Sequence, residues 1–216
     1  MRSFTALVGL VSITGILALA GTSQASLLAP GVSFETTLGG APGEAAPTGT
    51  VIASLNSPFT SGAYTGTLNV QVLQGDTTNP LGGLTFVYTL SNDFTSTDAI
   101  NRLTITGFNG WQVDAAYDIA SLGVIPFDID RSTSGNGNVI GVDFAQNSST
   151  VPLTPGTIGR RIVLQTNAPA FREVLANVID GSVTTVTTLG PNIPTPGAAA
   201  VLALGALAAG RRRRQA

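Results

Sequence analysis

The chain is expected to be all-β: an antiparallel β-sandwich, immunoglobulin-like or jelly-roll-like, flanked by an N-terminal signal peptide and a C-terminal hydrophobic helix. Three observations lead there. Apolar and polar residues alternate at a period of two through the middle of the 216-residue chain, clusters of Gly, Asn and Pro separate the alternating runs, and both ends are apolar without alternation. Composition agrees: 43% of residues are hydrophobic and only 10% charged, too few charges for an ordinary disordered segment.

The first element is residues 1–25. After Arg2, residues 6–20 read ALVGLVSITGILALA, followed by GTSQA. Ser23 and Ala25 are small enough for the positions three and one before a cleaved bond, so signal peptidase is expected to cut between Ala25 and Ser26. The other readings, a buried helix or a retained anchor, suit the run less well because it is shorter than the ~20 residues a span needs. An exported chain without cysteine has no disulfide staple and must hold together by packing.

Residues 26–191 form the domain. In GLTFVYTL the side chains of Leu84, Phe86, Tyr88 and Leu90 share a face; Leu68, Val70 and Val72 do the same. So do Leu103 with Ile105; Trp111, Val113, Ala115 and Tyr117; Ile140, Val142 and Phe144; and Ile162 with Leu164. Each set buries one face of a strand. Turn chemistry separates them in GDTTNPLGG, SNDFTSTD, STSGNGN and VPLTPG. Residues 168–178, APAFREVLANV, admit a helical turn or a strand with an irregular start, and APGEAAPTGT at 41–50 reads as a loop or early linker. Two sheets packed face to face account for short strands of this kind, with a barrel as the alternative.

The same residues restrict chemistry. No His, Cys or Lys is present, which removes Ser-His-Asp, Cys-His and Schiff-base machinery and the usual zinc ligands, so neither catalytic nor cofactor-binding residues are assigned and the chain is expected not to be an enzyme. A carboxylate-dependent glycosidase is the remaining enzymatic alternative, since two acids across a cleft suffice for it. Between the terminal segments five arginines face twelve acids, a formal charge of −7, which disfavours nucleic acid as a partner. One loop offers hard oxygen donors to Ca²⁺: Asp128, Asp130, Asn136 and Asn138. It departs from an EF-hand loop, with Thr133 at the sixth place and Val139 at the twelfth, and Arg131 lies among the donors; an Asp/Asn/Gly turn between strands is the plainer reading. Of the aromatics, Trp111, Tyr88 and Tyr117 have core parity, while Tyr64 and Phe108, beside glycines, are expected to be the exposed ones that a sugar platform would use.

The last element is residues 192–216: Pro194, Thr195, Pro196 and Gly197, then AAAVLALGALAAG, then Arg211, Arg212, Arg213 and Arg214. As a helix the apolar run at 198–209 is much shorter than the ~30 Å hydrocarbon core, so it spans only with snorkelling and local thinning. The arginines hold the C-terminus on the cytoplasmic side and leave the acidic domain on the other, the side that the N-terminal signal also selects. A sortase signal would need the attacked Thr where Pro stands, and a lipid-transfer signal would end in apolar residues. Motif, apolar helix and arginine cluster in this order resemble the PEP-CTERM sorting signal, with Thr195 in place of the middle Glu. The resemblance implies a bacterial export recognised by an exosortase-like membrane enzyme and associated with exopolysaccharide or biofilm matrix. The chain is therefore expected to be an exported cell-surface or extracellular-matrix structural protein, anchored transiently or permanently through its C-terminus. Its alternative is an extracellular polysaccharide-binding module.

Overall fold

The computed structural model describes residues 26–145 and 152–192, and nearly all regular structure in them is extended. A five-residue helix, α1 (Phe34–Leu38), comes first, capped by Ser33, whose hydroxyl accepts the Thr36 N–H. Then follow β1 (Gly43–Glu44), β2 (Thr50–Thr60), β3 (Thr65–Gln74), β4 (Thr85–Asn92), β5 (Arg102–Ile105) and β6 (Val113–Asp118). After them come β7 (Asp128–Arg131), a 3-10 turn at Ser134–Asn136, β8 (Ile140–Asp143), β9 (Ile162–Thr166), β10 (Phe171–Asp180) and β11 (Ser182–Pro191). One sheet has six strands in the order β1-β6-β9-β4-β3-β2, the other five in the order β11-β10-β5-β8-β7. Every pairing between them is antiparallel except the short one of β1 with β6.

The alternation read from the sequence has its cause in one core shared by both sheets. Leu68, Val70, Val72, Phe86, Tyr88 and Leu164 from the first sheet meet Leu103, Ile105, Ile140, Val142, Ala176 and Val178 from the second in a single buried cluster. Burying an aliphatic side chain of this size is worth roughly 1.5–3 kcal/mol. Two phenols tie the layers together. Tyr88 Oη donates to the Leu189 carbonyl at 2.6 Å and Tyr64 Oη to the Val178 carbonyl at 2.9 Å. Burial pushes the Tyr88 phenol above its ordinary pKa, so it stays a donor.

Residues 168–178 resolve as the strand with an irregular start: 168–170 are irregular and β10 begins at Phe171. Val174, Ala176 and Val178 alternate into the core, and β10 pairs with β11 on one side and β5 on the other, which satisfies its backbone twice over. Two aromatic expectations are overturned: Tyr64 is 1% exposed and Phe108 0%, while Trp111 lies before β6 and is only half-buried. A neighbouring glycine let Phe108 turn inward, where it meets Phe86 edge-on.

Residues 41–50 are no linker. β1 occupies one edge of the six-stranded sheet and β2 the other, so residues 45–49 connect strands five places apart. At ~4.8 Å per strand spacing and at most ~3.6 Å per residue, five residues leave that connection no slack. A Cβ on Gly49 would meet the Leu73 side chain at 3.0 Å, and the Thr48 N–H donates to Asp76 at 3.0 Å. This strap and the loop that follows β3 lie against outward-facing Leu73, Thr85 and Gln165, and Val87, Ala116 and Val163 on the same face are buried as well. Asp76 organises the layer: it accepts from Thr48, Thr78, Thr85 and Gln165. Burial alone would raise its pKa, but these donors outweigh burial and hold the carboxyl below its ordinary value.

Among the described residues no helix is long and apolar enough to cross a membrane. The expected signal peptide, residues 1–25, and the apolar C-terminal helix lie outside them.

Candidate functional site

The acids of the expected Ca²⁺ loop do not sit in a loop. Asp128 and Asp130 belong to β7, and its alternation sends them to the outer face of the five-stranded sheet while Ile129 and Arg131 turn the other way. In the β7–β8 register Asp128 is opposite Asp143 and Asp130 opposite Gly141. Carboxylate oxygens of Asp128, Asp130 and Asp143 therefore all come within 4.8 Å of one another. Asn136 and Asn138 are in the turn beyond the Arg131–Ile140 pair. Asn136 is exposed in the left-handed region (φ 51°), and the Asn138 side chain accepts the Gly107 N–H at 3.2 Å. Asp143 escaped notice in the sequence; the inward parity of Ile140, Val142 and Phe144 places it outward, and the hairpin register would have set it against Asp128.

Arg102, on β5 opposite Asp143, supplies the charge that the three acids lack. Its Nη1 bonds Asp143, and its Nη2 reaches over Gly141 to Asp130 Oδ2 at 2.6 Å. A Cβ on Gly141 would lie 2.0 Å from that Nη2 and 2.4 Å from Asp130 Oδ2, so a larger residue would push these side-chain ends aside. Asp128 spends its oxygens on α1, accepting the Ser33 hydroxyl and the Glu35 N–H, each at 2.7 Å. Burial, then repulsion from Asp130 and Asp128, lifts the Asp143 carboxyl above its ordinary pKa against the pull of Arg102; the two carboxylates outweigh burial at Arg102 and raise it. Three oxygens in this arrangement have the hard character that a divalent cation takes, with the guanidinium already among them.

Arg131, in the middle of the expected donor set, performs a separate task. Its buried guanidinium donates to the carbonyls of Leu28, Phe108, Trp111 and Gly137 at 2.8–3.0 Å, pinning the N-terminal segment and two loops; burial lowers its pKa. Trp111, which donates its Nε1 to the Asn192 carbonyl at 2.7 Å, forms one wall of a small cavity of about 200 Å³ with Leu27 and Pro30. A larger apolar groove of about 570 Å³ opens beside the ladder between Phe127, Phe144, Val124 and Ile125.

No family model, curated protein or solved structure matches the chain. Its function must therefore be read from its own residues.

Ser26, on the C-terminal side of the expected signal cleavage, is fastened to the domain. Its N–H donates to Asp114 Oδ1 at 2.6 Å, its carbonyl accepts the Ala115 N–H at 3.2 Å, and the Leu28 N–H donates to the Val113 carbonyl at 2.8 Å. Asp114 is 1% exposed, its Oδ2 has no partner, and burial raises its pKa against the Ser26 and Ala115 donors. The other processing residues, Ala25, Pro194 to Gly197 and Arg211 to Arg214, lie outside the described residues.

Proposed function

We propose that this chain is an exported cell-surface or extracellular-matrix structural protein, sorted by a PEP-CTERM-like signal at its C-terminus. The observation that carries the reading is the order of parts in the tail: the Pro194-Thr195-Pro196-Gly197 motif, an apolar run, and Arg211 to Arg214. Signal peptidase removes residues 1–25, the tail halts in the membrane on its arginines, and an exosortase-like enzyme acts near the motif. The body is a β-sandwich of immunoglobulin-like or jelly-roll-like kind, a reading supported by the single core between its two sheets. The domain is also secured just before the motif. Asn192 donates to the Ala170 carbonyl at 3.0 Å and accepts the Trp111 indole, so cleavage after it leaves the core untouched.

Intact mass of the protein extracted from its native cell surface reads both termini at once. A mass lacking residues 1–25 and the arginine cluster is expected, and replacing Arg211 to Arg214 with Gln should abolish the C-terminal processing. Full-length chain dissolved in the cytosol, or freely released with its arginines intact, overturns the proposal.

A further inference from the structure

We propose that Asp114 is the receptor for the α-ammonium group created at Ser26 when the signal peptide is removed, so that processing installs a buried ion pair that the precursor lacks. The inference rests on the export reading above. Its geometry is independent of it. Ser26 N already lies 2.6 Å from Asp114 Oδ1, held there by the pairing of residues 26–28 with β6 and by the burial of Leu28.

The precursor leaves this site short of donors. A peptide N–H offers one hydrogen, and Asp114 Oδ1 takes it. Asp114 Oδ2 is buried without a partner, and so is Oε1 of Gln165, the residue paired with Asp114 across β6 and β9. Hydrolysis of the Ala25–Ser26 amide consumes one water, gives Ala25 a carboxylate and Ser26 an amine, and protonation makes that amine an ammonium with three donors. One nitrogen then supplies the charge and the extra hydrogens missing from a buried carboxylate. The charged groups on this face of the sheet are acids or already paired. Asp76 takes the Gln165 amide, Asp118 pairs with Arg161, and Glu44 lies beside Asp118 in the neighbouring strand. No described cation on this face competes for Asp114.

The test exploits the composition. The chain contains no lysine, so in the processed protein the α-amine is the only primary amine. Trace labelling with ¹³C-acetic anhydride across a pH series, quantified at the N-terminal peptide, reads the titration of the unmodified amine from its rate of acylation. On protein purified from the exporting cell, N-terminal sequencing is expected to begin at Ser26, and the amine to titrate about 1 pH unit or more above the ordinary value near 7.7–8.0. The sign follows: stability from the pair is fully present below that ordinary value and is lost as pH rises through the elevated one. Asp114→Asn should return the titration to the ordinary range. A Ser26 terminus titrating at or below about 8 in the wild-type protein overturns the ion pair and leaves export standing, whether or not the Asp114 variant folds. A terminus elsewhere overturns both.

Discussion

Replacing Arg102 by Met keeps the apolar stem of the side chain and removes the one cation of the acidic ladder. The guanidinium bonds Asp130 and Asp143, with 31% of its own side chain and 25% and 22% of theirs exposed. An exposed pair is worth about 0–1 kcal/mol and loss of one partner of a buried pair about 3–5 kcal/mol. This partly buried site falls between, at about 2–3 kcal/mol. Repulsion supports that figure, because two carboxylate charges within 4.8 Å of each other repel by about 3 kcal/mol or more at an effective dielectric constant near 20. Urea unfolding followed by fluorescence of the single tryptophan, Trp111, should show the loss at pH 7, and the melting temperature should fall by about 4–10 °C. Acid should restore the variant. The Asp143 carboxyl is already raised, and removing Arg102 raises it further, so protonation on the way from pH 7 to pH 4.5 relieves the repulsion. A loss below about 0.5 kcal/mol at pH 7, or the same loss at both pH values, would refute the reasoning.

Two further perturbations probe the same principles elsewhere. Gly141→Ala places a methyl where Arg102 Nη2 and Asp130 Oδ2 lie, and should cost about 2 kcal/mol by dislodging the guanidinium; in the Arg102→Met background the same change should cost much less, as a double-mutant cycle of urea midpoints will show. Asp76→Asn sets an amide against the donors of Thr48 and Thr78 and should cost about 2–3 kcal/mol at neutral pH. Because the native Asp76 carboxyl is held low, its contribution is present above the unfolded value near 3.9 and fades as pH falls through the lower one, so the wild type should approach the variant in strong acid.

Strands facing the shared core were legible because burial on one side writes a period of two. Leu84, Phe86, Tyr88 and Leu90 needed nothing more. The outer layers hid themselves for the converse reason. Along β4 and β9 both faces are buried, Val87 and Val163 join Phe86 and Leu164, and alternation ceases to report direction. Helix α1 is five residues long, too short for a helical period, and is held by Asp128 from far along the chain. The ladder was half legible: Asp128 and Asp130 announced themselves by composition, but Asp143 and Arg102 enter through strand register, which a local reading lacks. Ser26 emerged from cleavage chemistry and Asp114 only from the fold.

The strap over the six-stranded sheet also sets a timetable. Its two ends adjoin β6 and β2, and the strands between them include β9, which arrives more than a hundred residues later in the chain. The first residues to emerge must therefore wait for some of the last, since contacts of such long sequence separation close slowly. A polypeptide wired in this way cannot seal itself from its leading end. Its larger sheet closes only once most of the length is available.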